Sequence, residues 1–338
     1  MPARAATRII SDVDFERDGR QATHLRVPHA RDDSAWGTVP IPIVVVRSGS
    51  GPTVMLTGGV HGDEYEGQVA LLDLARELEP GMIQGRVIIV PALHLPAAQV
   101  GSRLSPIDRL DINRTFPGDA GGSFAPTLAH YVSEVLLPLC DVNVDLHSGG
   151  RSLICLPCTM SHLLDDASVL ERTVALARAF GAPLHVMNRE VDGSRTLQSA
   201  AEAQGVISIS SELGGGNRLS PRGVAIARRG LWNVLKYLGM AEGEPEPFAT
   251  PTEVKVLPDP ESYGFAPAAG ILCPLHELGA SVRAGEPAAA IYAIEDPLRP
   301  PVVMEFRRSG MLWALRGQGR IEPGDAAAVV VGDWTGVP

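Results

Sequence analysis

Residues 53–64 read TVMLTGGVHGDE, an apolar run that ends in two glycines and a polar turn. A short apolar run bounded by glycine is typical of a buried strand. Residues 65–78 follow with a helical pattern. His61 and Glu64 are therefore predicted to lie at the carboxyl end of a strand, directly before a helix. The candidate apolar-face residues of that helix are Val69, Leu72, Leu74 and Leu78.

Strand and helix patterns alternate along the first 240 residues. Alternating strands and helices favour an α/β fold, in which a sheet with substantial parallel pairing is flanked by helices. The predicted strands lie near 43–47, 53–57, 87–91, 142–146 and 206–210, and the predicted helices include 165–180 and 224–238.

The chain changes character near residue 241. Residues 241–247 read AEGEPEP, an acidic and proline-rich segment with the composition of a linker. Beyond it, short strand patterns are separated by glycine and proline turns, with little helix signal. Two domains are therefore predicted, a larger α/β domain over 1–245 and a smaller all-β domain over 246–338.

Three side chains have the chemistry of a metal site. His61 and Glu64 are three residues apart, so one turn can present both, and His147 ends the predicted strand 142–146. Two histidines and one carboxylate are a common ligand set for catalytic zinc, which keeps a fourth position open for water. Ligands of open α/β sheets bind outside the carboxyl ends of the strands. Together these placements predict a site for one zinc ion per chain.

A third strand end supplies a candidate base. Residues 206–211 read VISISS, a β-rich run, and Glu212 follows it. A hydrolytic zinc site needs a group that takes a proton from water and returns it to the leaving group. Glu212 is the candidate for that role, and the alternative is a solvated acid before a glycine turn.

Asn113 and Arg114 stand side by side in the loop 110–118, which reads LDINRTFPG. Arginine forms a two-pronged, charge-assisted pair with a carboxylate, so these residues are candidates for gripping a substrate carboxylate. The alternative is an ordinary surface arginine, which is common in a chain with 29 lysines and arginines.

Four motifs follow one another along the chain: HGDE at 61–64, DINRTFPG at 111–118, DLHSGG at 145–150 and SELG at 211–214. In this order they resemble the succinylglutamate desuccinylase/aspartoacylase family, which is itself similar to zinc carboxypeptidases. The resemblance covers roughly residues 40–240. It implies a zinc-carboxypeptidase-like mixed sheet and hydrolysis of an N-acyl amino acid. The residues it implies are the zinc ligands His61, Glu64 and His147, the substrate-carboxylate residues Asn113 and Arg114, and the general base Glu212.

The family also uses an arginine upstream of the Asn–Arg pair to polarise the carbonyl that is attacked. Arg103 and Arg109 both qualify, and Arg103 is preferred. Residues 31–37 and 105–108 are similar to one subgroup, the N-acetyl-L-2,4-diaminobutyrate deacetylases of ectoine breakdown. The alternatives are deacylation of another N-acyl amino acid, a zinc carboxypeptidase for short peptides, and a metal-binding protein without turnover.

Composition and charge narrow the choice of partners. The formal net charge is −10 and no long basic run occurs, which argues against nucleic acid and against an anionic membrane surface. No apolar run approaches the length of about 20 residues that a membrane helix needs. The N-terminal residues lack the apolar core of a signal peptide. A small-molecule substrate and a cytoplasmic location are therefore expected.

The four cysteines fit a reducing compartment. Residues 155–158 read CLPC, which is formally a redox or metal motif. Since no second CxxC accompanies it, the two cysteines are interpreted as unpaired thiols in a strand or loop near the site.

The C-terminal residues contain a weak internal repeat. Residues 269–287 and 309–325 each resemble the hammerhead pattern of biotinyl and lipoyl domains. A carrier of that kind needs a lysine to hold its cofactor, but residues 256–338 contain none, and Glu305 stands at the expected place. This region is therefore predicted to be a barrel-sandwich-like β module that caps the site or mediates association, and a homo-oligomer such as a dimer is expected.

Overall fold

The computed structural model describes residues 7–189, 195–246 and 250–336. The strands in these ranges are β1 (Ile10–Ser11), β2 (Gly19–Pro28), β3 (Thr38–Ser48), β4 (Thr53–Gly58), β5 (Gly85–Val90), β6 (Val142–His147), β7 (Leu153–Cys155), β8 (Cys158–His162), β9 (Leu184–Asn188), β10 (Ile207–Glu212), β11 (Glu253–Leu257), β12 (Tyr263–Phe265), β13 (Gly270–Pro274), β14 (Ser281–Val282), β15 (Pro287–Tyr292), β16 (Val302–Glu305), β17 (Gly310–Arg316), β18 (Arg320–Ile321) and β19 (Ala326–Asp333). The α-helices are α1 (Tyr65–Glu77), α2 (Leu95–Val100), α3 (Phe124–Tyr131), α4 (Ala167–Phe180), α5 (Leu197–Glu202) and α6 (Pro221–Tyr237), and short 3-10 or π turns cover Pro80–Met82, Ile112–Arg114, Val132–Leu136, Leu137–Leu139 and Pro260–Ser262.

One large mixed sheet runs through the molecule in the order β1-β2-β3-β5-β4-β6-β10-β8-β9-β11-β19-β17-β14. Its centre is parallel, because β4 pairs in parallel with both β5 and β6, and β6 pairs in parallel with β10. The prediction of a mixed sheet flanked by helices is therefore confirmed. The carboxyl ends of β4, β6 and β10 meet at one edge, and this places their terminal residues together.

Helices cover both faces of the central sheet. On β4, Val54 and Leu56 belong to the apolar core beneath α1, α4 and α6, whereas Met55 belongs to the core beneath α3 and α5. Successive side chains of a strand point to opposite faces, so a run that is apolar throughout is expected for a strand covered on both sides.

Two sequence predictions need correction in detail. Strand β3 begins at Thr38, five residues before the predicted 43–47. Pro40 and Pro42 lie in the part of β3 that pairs with β2 but not with β5, because β5 pairs only with Val44–Ser48 of this strand. The missing proline N–H groups can therefore interrupt the β2–β3 ladder but not the β3–β5 ladder. On α1, the buried face includes Ala70, Leu71 and Leu74, whereas Leu72 is 46% exposed.

The C-terminal residues add a separate four-stranded antiparallel sheet, in the order β16-β15-β13-β18. They also extend the large sheet, since β11 pairs with β9 and β17 pairs with β7. The indole Nε1 of Trp313 donates to the Leu156 carbonyl at 3.1 Å, across the same junction. The predicted linker 241–247 ends outside the described residues. The division into domains at 245/246 stays a prediction.

No helix in the described part of the chain has the length and apolar content needed to span a membrane.

Candidate active site

A tight turn carries His61 and Glu64 from the end of β4 to the start of α1. Gly62 lies so close to α2 that a Cβ atom there would stand 2.0 Å from the Ala97 carbonyl carbon. Glu64 is the N-cap residue of α1, but its side chain makes no capping hydrogen bond. The Glu64 carboxylate instead reaches the two histidines that the sequence predicted as its partners.

His61, Glu64 and His147 converge into one buried cluster. His61 Nδ1 lies 2.8 Å from Glu64 Oε1, and His147 Nδ1 lies 2.7 Å from Glu64 Oε2. One ligand atom from each residue can be chosen so that all three lie within 4.8 Å of one another. Among the described residues this is the one group of three or more His, Cys, Asp or Glu side chains with that property.

Each histidine meets a second carboxylate at its other ring nitrogen. His61 Nε2 lies 3.1 Å from Asp111 Oδ1, and His147 Nε2 lies 2.8 Å from Asp145 Oδ2. Asp145 is held in turn by the Thr57 hydroxyl, which donates to Oδ1 at 2.7 Å. This is the arrangement in which an outer carboxylate fixes the tautomer and orientation of a metal-binding histidine.

Sequence reasoning assigned no role to Asp111 or Asp145. A signal for Asp145 exists, because it precedes His147 by two residues on β6, and residues two apart on a strand share a face. Asp111 caps the turn Ile112–Arg114 through the Asn113 N–H. It opens the DINRTFPG motif, but the motif does not show that its carboxylate contacts His61.

The donor set of the cluster fits a cation. A neutral imidazole has one N–H, so it can donate to only one of its two carboxylates. When the N–H groups of His61 and His147 face Asp111 and Asp145, both Nδ1 lone pairs face the oxygens of Glu64. A metal ion is the partner that such converging electron donors require.

The pKa shifts of His147 and Glu64 also show that the cluster favours positive charge. Burial lowers the pKa of His147, but the charges of Asp145 and Glu64 raise it more, and the net shift is well above the ordinary value. Burial raises the pKa of Glu64, but His61 and His147 lower it more, so the net shift is downward. The Glu64 carboxylate therefore remains ionised, and it favours any cation that enters the cluster.

Glu212 lies beside the cluster at the end of β10, where the parallel register pairs it with His147. Its Oε2 atom is buried and has no hydrogen-bond partner. Burial, and then the charge of Glu64, raise the pKa of Glu212 to about 8. A buried carboxylate with an unpaired oxygen beside a ligand cluster is the arrangement expected of a group that exchanges a proton.

The two candidate arginines occupy different places. Arg103 Nε donates to Asp111 Oδ2 at 3.0 Å, and its Nη1 lies 3.8 Å from Glu64 Oε1. Arg109 instead lines a neighbouring hollow of about 490 Å³ and has a positive φ of 63°. Both arginines line that hollow. Of the two, Arg103 alone lines the cavity of the cluster as well.

Asn113 and Arg114 line the same cavity, which has a volume of about 180 Å³. Asn113 Oδ1 accepts from the Leu197 N–H at 2.9 Å, so this oxygen anchors the loop to α5. The exposed Arg114 donates from Nη1 to the Asn113 carbonyl at 2.9 Å. The structure therefore brings all seven residues proposed from the sequence to one cavity.

Buried polar residues elsewhere differ from this cluster. His185 lies on β9, with two hydroxyls of the neighbouring strand β8 beside its ring: the Thr159 hydroxyl is 3.0 Å from Nδ1 and the Ser161 hydroxyl is 3.1 Å from Nε2. Burial lowers the pKa of His185 to about 4. Cys155 and Cys158 are buried, unpaired thiols in β7 and β8, which confirms that interpretation of the CLPC segment.

The fold and the cavity define a class of protein, a mixed α/β hydrolase whose strand ends bear a two-histidine, one-carboxylate cluster. The model of the succinylglutamate desuccinylase/aspartoacylase catalytic domain matches residues 50–238, and the chain belongs to this family. It is accordingly an enzyme that hydrolyses amide bonds.

Relatives match along nearly the whole chain. The N-alpha-acetyl-L-2,4-diaminobutyric acid deacetylase of Halomonas elongata is 43% identical over 322 residues, which cover 95% of this chain and 94% of that protein. A succinylglutamate desuccinylase/aspartoacylase structure from Rhodobacter sphaeroides has 47% identity and a TM-score of 0.94, covering 98% of this chain and 100% of that chain. The product-bound ectoine utilization protein EutE (DoeB) of Ruegeria pomeroyi has 40% identity and a TM-score of 0.93, covering 97% and 99%.

Proposed function

We propose that the chain is a zinc-dependent deacetylase that removes the acetyl group from N-acetyl-L-2,4-diaminobutyrate during ectoine breakdown. The observation that carries the proposal is the buried His61–Glu64–His147 cluster beside the unpaired carboxylate of Glu212. The deacetylase activity of the relative from Halomonas elongata supports the choice of substrate. The ectoine utilization protein from Ruegeria pomeroyi supports the same pathway.

In this proposal, His61, Glu64 and His147 hold one zinc ion. Zinc at such a site polarises a carbonyl and lowers the pKa of water to about 7. Asp111 and Asp145 keep the two imidazoles in the tautomer whose Nδ1 lone pairs face inward. With a cation held by His61, Glu64 and His147, the charge of Glu64 would be offset, and Glu212 would ionise at a lower pH and could act as a base.

Glu212 accepts a proton from the attacking water and later delivers it to the amine that leaves. Its position at the end of β10 supports this role, because Oε2 is not committed to another protein group. Arg103 stabilises the negative charge that develops on the acyl oxygen. Asp111 holds the Arg103 guanidinium, with Nη2 at 2.9 Å from Oδ2, and so limits its freedom before the substrate arrives.

Asn113 and Arg114 bind the carboxylate of the amino acid. The Asn113 side chain keeps only its amide nitrogen for the substrate, because Oδ1 already accepts from Leu197. An amide N–H beside a guanidinium is a donor pair suited to the two oxygens of a carboxylate. An N-acyl amino acid with a free carboxylate is therefore the substrate class that these two residues favour.

The substrate itself provides the first test of this function. Purified protein should release acetate from N-acetyl-L-2,4-diaminobutyrate but leave dipeptides intact, and elemental analysis should find about one zinc per chain. Cleavage of dipeptides in place of the acetylated amino acid would support the carboxypeptidase alternative. Zinc without any acetate release would support the metal-binding protein without turnover.

Substitution of Arg114 tests the carboxylate clamp. Arg114→Lys should lower kcat/KM on the acetylated amino acid by roughly 10-fold, and Arg114→Ala by more, because lysine supplies charge without the planar fork. The carboxamide of the same substrate should be cleaved slowly by the native enzyme and at nearly the same rate by both variants. Equal cleavage of acid and amide by the native enzyme would contradict the clamp.

Three further features belong to the same proposal. We infer a cytoplasmic enzyme, a homo-oligomer such as a dimer, and a C-terminal barrel-sandwich-like module over 246–338 beside a carboxypeptidase-like catalytic domain over 1–245. The separate sheet β16-β15-β13-β18 supports the existence of a β module.

A further inference from the structure

Trp36 projects from the surface of the molecule on a short loop. Its side chain is 96% exposed, the highest value among the large apolar residues that the structure describes. The His29 N–H donates to the Gly37 carbonyl at 2.9 Å and so closes residues 29–37 into a loop, which we call the Trp36 loop. Two further backbone bonds cross its tip. Since its own bonds hold the loop, little ordering is needed when Trp36 binds a partner.

The hollow that adjoins the catalytic cavity is large enough for an indole ring. Its volume is about 490 Å³, within the range of roughly 300–1,000 Å³ that is typical of pockets for drug-sized ligands. Val100 and Leu104, which are 58% and 42% exposed, line it together with Pro106. An exposed apolar surface of this kind marks an interaction site. We call it the arginine hollow after its charged lining residues, which are Arg103, Arg109, Arg151, Arg316 and Asp63.

Two of these arginines are available for a partner. The Arg109 guanidinium makes no hydrogen bond or ion pair with the described part of the chain. Arg151 donates from Nη2 to the Gly101 carbonyl at 3.1 Å, and it has no carboxylate partner among the described residues. The hollow therefore offers free positive charge, although the net charge of the whole chain is −10. The other two arginines are already paired with carboxylates, Arg103 with Asp111 and Arg316 with Asp325.

We propose that two copies of this chain pair about a two-fold axis, with the Trp36 loop of each copy inserted into the arginine hollow of the other. This inference rests on the homo-oligomer of the proposed function and not on its chemistry. The hollow shares Arg103 and Ser152 with the catalytic cavity, so the contact places a side chain of the second copy next to the active site.

The charges of the Trp36 loop suit the arginine hollow. Asp33 is paired with Arg31, whose Nε atom lies 3.0 Å from Oδ1. Asp32 has no ion pair or hydrogen bond from its side chain among the described residues. A guanidinium is attracted to the face of an indole, and a second guanidinium pairs with a carboxylate beside it. A loop that carries tryptophan and a free aspartate is therefore a suitable occupant for a hollow with two free arginines.

The loop and the hollow are neighbours on one face of the chain. His29 and Ala30, at the base of the loop, share a small cleft with Ile107. Pro106 and Arg109, on either side of Ile107 in the sequence, line the arginine hollow. Two-fold pairing brings the same face of both copies together, so a loop and a hollow that are neighbours can be exchanged in both directions. A loop and a hollow on opposite faces would instead form rings or filaments.

The affinity of the dimer provides the first test. Sedimentation over a dilution series compares the zinc-loaded native enzyme with Trp36→Ala and with the matched control Leu298→Ala, which shortens another side chain that is 92% exposed. Trp36→Ala should weaken the dimer at least ~100-fold, because one buried tryptophan anchor typically contributes a factor of about 30 and each dimer contains two. Leu298→Ala should stay within about 3-fold of the native enzyme.

Reversal of the free charges tests the other half of the contact. A chain with both Arg109→Glu and Arg151→Glu, the hollow variant, should also lose dimer affinity, by at least ~10-fold. The matched control reverses two exposed arginines on α4 and α6, with Arg172→Glu and Arg222→Glu in one chain. This control changes the net charge equally, and its dimer affinity should stay within about 3-fold of the native value.

Mixing the two kinds of variant distinguishes an exchange of loops from any other interface. A heterodimer of Trp36→Ala and the hollow variant keeps one intact contact, because the remaining tryptophan meets an unaltered hollow, whereas neither homodimer keeps any. Native mass spectrometry, which separates the three dimers by mass, should find the heterodimer at least ~10-fold tighter than either homodimer. A heterodimer that is no tighter would overturn the exchange.

The possible failures can be told apart. A native protein that stays monomeric would overturn the contact and the homo-oligomer, and would leave the proposed hydrolysis standing. A native dimer whose affinity is unchanged in Trp36→Ala would overturn the contact alone. Dimers that respond as proposed, without acetate release from any N-acetyl amino acid, would support the contact and overturn the deacetylase.

Discussion

The buried histidines of the cluster and the buried His185 of β9 differ in their partners, and the partners give them opposite properties. His61 and His147 have carboxylates at both ring nitrogens, and their pKa values are raised although burial acts to lower them. His185 has hydroxyls at both nitrogens, and burial lowers its pKa to about 4. Burial alone therefore does not mark a functional histidine. The charge of the neighbours distinguishes the proposed ligands from His185.

The largest expected loss of zinc and of turnover should follow from the removal of a cluster histidine. His147→Ala should lose zinc and lower turnover by more than about 10³-fold, because one of three ligands is gone and Glu64 and Asp145 lose their partner. His185→Gln, the matched control from the other region, should keep stoichiometric zinc. Elemental analysis and acetate release measure both. Full zinc occupancy in His147→Ala and in His61→Ala would remove the distinction between the two regions.

Replacement of the base should separate chemistry from metal binding. Glu212→Gln keeps the shape of the side chain but cannot accept a proton, so turnover should fall by at least ~10²-fold. Zinc content should remain that of the native enzyme, because Glu212 is not in the ligand cluster. Near-normal turnover would mean that the proton travels through another group.

A smaller loss should follow from changing the carboxylate behind a ligand. Asp145→Asn leaves His147 in place but no longer fixes its tautomer, so zinc affinity should fall by roughly 10- to 100-fold. A competition titration with a zinc chelator measures this difference. Thr57→Val, which removes the hydroxyl that holds Asp145, should have a weaker effect in the same direction. An unchanged affinity in Asp145→Asn would show that β6 alone orients the imidazole.

Replacement of His185 should have the smallest effect on turnover. Its effect on the free energy of unfolding should nevertheless be measurable. The pKa of His185 in the folded chain is about 4, against an ordinary value of 6.5. Between these two values the unfolded chain binds a proton that the folded chain does not, so the contribution of His185 to the free energy of unfolding should decline as pH falls from 6.5 to 4. The decline should reach about 3 kcal/mol.

Denaturant titrations of native enzyme and His185→Gln between pH 7 and pH 4 measure that decline, because the difference between the two proteins removes the contribution of other groups. The native advantage should shrink as the pH falls. A difference that stays constant would show that the folded and unfolded chains protonate His185 alike, which would contradict the lowered pKa.

The sequence predicted the strand ends well because the chemistry there is local. His61 and Glu64 occupy one turn. His147 and Glu212 each end a predicted strand, and the carboxyl ends of parallel strands lie at the same edge of a sheet, so their proximity can be predicted without knowing the strand order. The sheet order itself was not predictable in this way. Strand β3 was predicted too short. Its first part contains Pro40 and Pro42, and the pairing pattern shows that these prolines interrupt one ladder at most.

Residues that act through a partner were harder to find. Asp111 reaches His61 from a loop 50 positions away. Such pairs depend on how elements pack. Asp111 opens the DINRTFPG motif, but the motif does not show which histidine this carboxylate contacts. On α1, helical spacing alone did not select the buried face, since Leu72 fits the apolar pattern but points away from the sheet.

The strand pairs β9–β11 and β7–β17 have a practical consequence for work with shortened chains. A protein that stops at residue 245 keeps every proposed catalytic residue but loses the neighbours of β9 and β7. Both strands would then present unpaired backbone N–H and C=O groups, which invite pairing with other chains. A shortened enzyme should therefore aggregate even though its catalytic residues are all present, and a stable minimal version needs at least β11 and β17 supplied in cis or as a separate fragment.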